Sequence, residues 1–205
     1  MPRPSRLLLL SILLSLVVAG TSPLRAVGSA PAVGDVIINE YAADNDAAGN
    51  DFVELLVLRD GVDLRGVRFS DNEIIAGGTF NNNEAVYTLG DDAFLSDIPK
   101  GTLVVIWMLA TGVVTDTTVN AAAGDWRMVL APGAGVVAGT DGLGGSFGPG
   151  LAVGGEAMYL YLPGPDGNSA GTDNIYLDFV SFETDAGLPP EGMIDLNLPS
   201  VSDNA

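Results

Sequence analysis

The chain contains no cysteine and no histidine among its 205 residues. Without cysteine no disulfide can form, so a hydrophobic core must hold the fold, which is within reach at this length. The two absences also exclude a Ser-His-Asp or Cys-His catalytic site and a zinc site with His or Cys ligands. Carboxylate chemistry and oxygen-ligated Ca²⁺ or Mg²⁺ remain open.

Basic residues are scarce as well. The chain has 8 Lys and Arg against 26 Asp and Glu, which gives a formal net charge of −18. Arg3, Arg6 and Arg25 precede every acidic residue, so the rest of the chain is more acidic still. Such a surface repels phosphate backbones and disfavours nucleic-acid binding. It favours cationic partners and divalent cations instead, and it keeps an exported protein soluble.

The first residues have the three-part layout of a secretory signal peptide. Arg3 and Arg6 precede an apolar run from Leu7 to Ala19, and small residues follow. The run is shorter than the about 20 residues that a membrane-spanning helix needs. The pattern therefore predicts a signal peptide over residues 1–28 and a protein that is secreted or held at the cell surface.

The signal pattern fits two cleavage positions. Cleavage after Gly20 places Val18 at position −3, and cleavage after Gly28 places Ala26 there. Both place a glycine at position −1, and the sequence leaves the cleavage position open between residues 20 and 30. An uncleaved N-terminal anchor is the alternative. No later apolar run is long enough to cross a bilayer, so we expect no membrane span in the mature chain.

From Gly34 onward, short aliphatic and aromatic runs alternate with turns rich in Gly, Pro and Asp, and no helical period is sustained. Residues "DAFLSDI" suggest one helical turn, and Val136–Val137 suggest a short edge strand within the glycine-rich segment Ala131–Gly155. The nine predicted strands are Asp35–Tyr41, Phe52–Leu58, Val67–Ser70, Ala85–Leu89, Thr102–Leu109, Val113–Val119, Trp126–Leu130, Ala157–Leu162 and Ile175–Phe182.

This pattern predicts an all-β domain over residues 34–183. Parallel α/β folds need crossover helices, and the pattern contains none. About nine short strands separated by tight turns are typical of a β-sandwich or a barrel. Residues 184–205 contain a Pro-Pro pair and a polar end, so we expect a polar tail or linker there.

An acidic stretch joins the first two predicted strands. Asp44, Asp46 and Asp51 lie in it, but an EF-hand loop counted from Asp44 would have Ala48 at its fifth position and Leu55 at its twelfth. Asp, Asn and Gly are also the residues that form turns most readily. The stretch therefore predicts a solvated turn, with a loose Ca²⁺ site as the alternative, and no other cofactor is expected.

Two glutamates lie inside apolar strand patterns. Glu40 and Glu54 are expected to be partly buried, with bonds to backbone amides or to a cation such as Arg65, Arg68 or Lys100. Paired carboxylates can hydrolyse glycosides, which keeps a carboxylate enzyme using Glu54 as an alternative. The structural role is the more common one in a sandwich, so we expect the chain not to be an enzyme.

The stretch "VIINEY…DFVELLVLRDGVDLRGVRFSD" resembles the opening of the lamin-tail (LTD) domain family. Later pieces, "IPKGTLVVIW" and "GGEAMYLYLPGPDGN…IYLDFVSF", resemble the family's strand after a "pG" turn and its two final strands. Val67 departs from the pattern, because a Trp usually stands there. The residues that correspond are Ile38, Asn39, Glu40, Phe52, Val53, Glu54, Leu55, Val62, Asp63, Leu64, Gly66 and Asp71.

The resemblance implies an immunoglobulin-like β-sandwich in which Glu40 and Glu54 are structural hallmarks. In bacteria such domains occur in secreted or surface proteins, often beside nuclease, phosphatase or other hydrolase modules. We therefore expect an exported, non-catalytic module for binding or assembly, whose protein or surface ligand the sequence does not name. The alternatives are an accessory domain of a secreted hydrolase or nuclease and a Ca²⁺-dependent adhesion module.

Overall fold

The computed structural model describes residues 28–42, 51–75, 78–81, 85–109, 112–139, 155–165, 167, 173–183 and 187–194. These residues contain nine β-strands, two single-turn 3₁₀ helices and no α-helix, which confirms the all-β prediction. The predicted signal peptide lies outside the described residues, except for Gly28, and so do Asp44 and Asp46.

The strands are β1 (Val36–Ala42), β2 (Phe52–Val57), β3 (Arg68–Ser70), β4 (Val86–Leu89), β5 (Leu103–Trp107), β6 (Arg127–Pro132), β7 (Gly135–Gly139), β8 (Gly155–Leu162) and β9 (Ile175–Glu183). The 3₁₀ helices are Ala93–Leu95 and Ala121–Ala123.

Eight of the nine predicted strands correspond to observed strands, and the helical turn and the Val136–Val137 strand are confirmed. The strand predicted at Val113–Val119 is wrong. Only Asp116 pairs there, through two backbone hydrogen bonds with Val129. The carboxylate of Asp116 accepts hydrogen bonds from the backbone N–H of Thr118 at 3.0 Å and from its hydroxyl at 2.7 Å. These local bonds turn the chain away from the strand direction.

The strands follow one hydrogen-bonded order, β1-β2-β5-β6-β7-β4-β3-β8-β9. All neighbours are antiparallel except β5–β6 and β6–β7. The chain passes from the first group (β1, β2, β5, β6) to the second (β7, β4, β3, β8, β9) at Ala131–Gly135, where the last residues of β6 pair with the first of β7.

Both groups of strands contribute to one hydrophobic core. Alternate residues along each strand point inward, as Val53, Leu55 and Val57 do in β2, where all three are fully buried. The largest fully buried apolar side chains in this core are Phe69, Leu55, Leu64, Leu95, Ile98, Ile106, Met108, Met128 and Leu130.

A second cluster lies on the opposite face of β8 and β9. Tyr159 and Tyr161 are fully buried there, with the ring of Phe80 centred 5.3 Å and 5.4 Å from theirs. The hydroxyl of Tyr159 accepts a hydrogen bond from the backbone N–H of Ile74 at 3.1 Å and donates one to the carbonyl of Leu188 at 3.0 Å. Part of the predicted polar tail is thus tied to the domain.

The two outermost strands of the order, β1 and β9, meet through a side chain. The backbone N–H of Ile38 in β1 donates a hydrogen bond to the carboxylate of Asp178 in β9 at 2.6 Å. Each strand has a register shift at this point, between Ile38 and Glu40 in β1 and opposite Leu160–Tyr161 in β9. Within the described residues no backbone ladder joins β1 to β9. The hydrogen bond to the Asp178 carboxylate links these two outermost strands instead.

This junction predicts different outcomes for two substitutions. We expect Asp178→Ala to lower the free energy of unfolding by about 1–3 kcal/mol, because the N–H of Ile38 loses its acceptor. Asp178→Asn keeps an acceptor oxygen and should cost less. Urea unfolding at neutral pH measures both changes, and equal losses would contradict the role given to the hydrogen bond.

The same carboxyl group predicts a pH dependence. Burial raises the pKa of Asp178 above its usual 3.8, against the opposing effect of the N–H groups of Ile38 and Phe179. The folded chain therefore binds this proton more readily than the unfolded chain, and its free energy of unfolding falls as the pH rises through the folded pKa. Asp178→Asn should remove that contribution, which urea titrations between about pH 4 and pH 7 would detect.

Candidate functional site

Two buried carboxylates lie at the end of the domain where β2 begins and β3 ends, here called the Asp51 end. Asp51 directly precedes β2 and Asp71 directly follows β3, and their exposed fractions are 1% and 3%. The backbone carbonyl of Asp51 accepts a hydrogen bond from the N–H of Met108, just after β5, at 3.0 Å. Buried carboxylates are uncommon in proteins, so this end is a candidate functional site.

Tyr87 of β4 lies near both carboxylates and is 2% exposed. Burial, followed by the charges of Asp71 and Asp51, raises the pKa of Tyr87 above its usual value of 10.0. The phenol therefore keeps its proton at neutral pH and can act as a hydrogen-bond donor between two acceptors.

A buried polar turn lies beside these residues, at the start of the connection from β3 to β4. The hydroxyl of Ser70 donates to the carbonyl of Ala85 at 3.0 Å. The same oxygen accepts from the backbone N–H of Asn72 at 3.1 Å and from its side-chain amide at 2.8 Å. Ser70 and Asn72 are fully buried. The Asp51 end is therefore a buried, hydrogen-bonded region, and the β1–β2 and β3–β4 connections both begin and end there.

The predicted Ca²⁺ residues are only partly placed by the structure. Asp51 lies buried at the base of the β1–β2 connection, whereas Asp44 and Asp46 lie outside the described residues. Among the residues that the structure does describe, no group of three or more acidic side chains is arranged to hold a metal ion. Sequence reasoning missed Asp71 and Tyr87 as neighbours of Asp51.

The two strand glutamates differ in burial. Glu40 and Glu54 lie opposite each other on β1 and β2. Glu54 is 8% exposed and accepts a hydrogen bond from the side-chain amide of Asn39 at 2.8 Å. Glu40 is exposed, against the expectation of partial burial. The register shift in β1 before Glu40 explains the difference, because it brings Asn39 over Glu54.

Two of the basic residues expected near the glutamates, Arg65 and Arg68, contact other groups. Arg65 forms ion pairs with Asp63 at 2.6 Å and with Asp91 at 3.1 Å. Arg68 donates to the carbonyl of Gly167 at 2.9 Å. The hydrogen-bond partner observed at Glu54 is the side-chain amide of Asn39.

A cleft of about 260 Å³ lies beside the 3₁₀ turn Ala93–Leu95. Its walls are mainly apolar, with Phe94, Ile98 and Met128 among them, and Thr117 and Thr118 add hydroxyl groups. Pockets for small ligands are commonly about 300–1,000 Å³. The cleft is therefore small for a ligand, and its walls carry no acid or base.

Comparison with known proteins yields no match to a family model and none to a curated protein. In the described part of the chain, no helix is both long and apolar enough to cross a bilayer.

Proposed function

We propose that the chain is an exported, non-catalytic β-sandwich module of the lamin-tail type, which presents loops for binding or assembly at the cell surface or outside the cell. The observation that carries this proposal is the buried, hydrogen-bonded base at the Asp51 end, from which the β1–β2 and β3–β4 connections leave. Loops held on a rigid β framework are a common binding surface.

The positions of the pattern residues support the lamin-tail part of the proposal. Val53, Leu55 and Leu64 are fully buried in the core that both groups of strands share. Gly66 has a φ of 75°, which favours glycine in the turn before β3. Asp71, the last residue of the pattern, is buried at the Asp51 end.

Export is tested with the full chain in a secreting bacterial host. We expect the protein in the medium or on the cell surface, and we expect Leu10→Arg to keep it inside, because a charge interrupts the apolar segment of the signal. Leu10→Ile is the matched control and should be exported normally. A native chain found only in the cytoplasm would contradict the proposal.

The carboxylate-enzyme alternative is tested separately on the exported protein. We expect no turnover of chromogenic glycosides, and no difference between the native chain and Glu54→Gln. Turnover that Glu54→Gln abolishes would overturn the non-catalytic assignment. Sequencing the gene downstream of the last codon tests the accessory-domain alternative, because a catalytic module would follow there.

A Ca²⁺-dependent adhesion module is a second candidate, which the buried Asp51 at the base of the acidic β1–β2 connection favours. Calorimetry and thermal unfolding with added Ca²⁺ distinguish it. Heat of binding and a raised melting temperature, both lost in a combined Asp44→Asn and Asp46→Asn variant, would support this candidate. An unchanged melting temperature and no heat would remove it.

A further inference from the structure

The residues that follow the signal pattern are part of the folded domain. We call Gly28–Asp35 the N-terminal strap. The backbone N–H of Ser29 donates to the carbonyl of Gly61 at 3.0 Å, and the N–H of Asp63 donates to the carbonyl of Ser29 at 2.9 Å. Ser29 thus pairs with Val62 in a parallel β-bridge.

Arg59 holds the strap from the side. Its Nε lies 2.8 Å from the carboxylate of Asp35, its Nη1 donates to the hydroxyl of Ser29 at 2.9 Å, and its Nη2 donates to the carbonyl of Ala30 at 3.2 Å. Two hydrogen bonds lower the pKa of Asp35, the larger effect coming from the backbone N–H of Ala32 and the smaller from Arg59. The carboxylate therefore stays charged at neutral pH. One guanidinium group therefore joins both ends of the strap.

Gly28, the first residue of the strap, lies against the backbone of two other segments. Its backbone N–H donates to the carbonyl of Ser96 at 2.6 Å. A Cβ atom on residue 28 would lie 2.5 Å from the carbonyl oxygen of Gly61 and 2.7 Å from that of Ser96. Both are backbone atoms and cannot rotate away, so the fold requires glycine here for steric reasons.

We propose, resting on the proposed export, that the signal peptide is removed between Gly20 and Thr21 and that the mature protein keeps the whole strap. Cleavage after Gly28 would remove the backbone N–H of Gly28, which donates to the carbonyl of Ser96. It would also leave a new ammonium group on Ser29. Cleavage after Gly20 places the charged amino terminus well before the strap. In this hydrolysis, catalysed by a host signal peptidase, water adds across the Gly20–Thr21 amide and yields a carboxylate and an ammonium group.

The test is the intact mass and N-terminal sequence of the protein that the full chain delivers to the medium or the cell surface. We expect a single start at Thr21. An exported protein that starts at any other residue, Ser29 above all, overturns the assignment and leaves the export proposal standing. A chain that remains unprocessed inside the cell overturns both.

Two variants of the signal peptide test independently which of the two cleavage sites is used. Gly20→Leu places a large residue at position −1 of the proposed site, and we expect the unprocessed precursor to accumulate. Ala26→Leu changes position −3 of the other site, and we expect it to be processed as the native chain is. The reverse pattern, with Ala26→Leu blocked and Gly20→Leu processed to a start at Ser29, would overturn the proposal.

Discussion

Gly135→Ala is expected to lower the free energy of unfolding by about 2–5 kcal/mol, which combines the cost of a left-handed backbone with that of overpacking. Gly135 opens β7 with a φ of 80°. An added Cβ would lie 3.0 Å from the Phe94 ring and 3.1 Å from a methyl group of Leu130. Leu130 is fully buried where the chain crosses between the two groups of strands, so it cannot move without disturbing the core, whereas Phe94 is half-buried beside the cleft.

Gly133→Ala is the matched control. Gly133 has a similar φ of 84°, but nothing lies within 4 Å of the Cβ that alanine would add. Only the backbone cost of about 1–2 kcal/mol should appear. Urea unfolding of both variants separates the two contributions. Equal losses would show that packing at Gly135 plays no part.

The second prediction concerns Tyr159. We expect Tyr159→Ala to cost about 3–5 kcal/mol, as for other large aromatic side chains removed from a core. Tyr159→Phe keeps the ring and should cost about 1–3 kcal/mol, because the N–H of Ile74 and the carbonyl of Leu188 lose the hydroxyl between them. Thermal and urea unfolding measure both losses.

Limited proteolysis identifies what the hydroxyl of Tyr159 does. We expect Tyr159→Phe to increase thermolysin cleavage within residues 187–194, because Leu188 loses the hydrogen bond from the hydroxyl and keeps the one that its N–H donates to the carbonyl of Ile74 at 3.0 Å. Phe80→Leu is the control, since it weakens the aromatic cluster without touching the hydrogen bond to Leu188. Equal cleavage in the two variants would mean that packing, and not the hydroxyl, holds the segment.

The strands could be predicted from the sequence because runs of Val, Ile, Leu and aromatic residues bounded by turn residues are a local signal. Val113–Val119 gives the same signal and is not a strand. A ladder needs a neighbour along its whole length, and only Asp116 finds one, at Val129. Local composition does not contain that information.

The candidate site was less predictable than the strands. The sequence singles out Asp51 as part of a turn, but in the fold it is buried, its carbonyl bonds to the N–H of Met108, and Asp71 lies at the same end of the strands. The bond between Ile38 and Asp178 joins residues 140 positions apart. It also depends on register shifts in both strands, and such bulges have no clear sequence signature here.

The place of β1 beside β9 has a mechanical consequence. Followed through the pairings, the two strands run in the same direction, so residue 36 and residue 183 lie at opposite ends of the domain. A tension applied between those residues pulls each strand lengthwise along its partner. Ladder hydrogen bonds lie across the strands, so they resist such a load together and do not open one after another. We therefore expect unfolding under such a tension to require shearing of β1 against β2 and of β9 against β8.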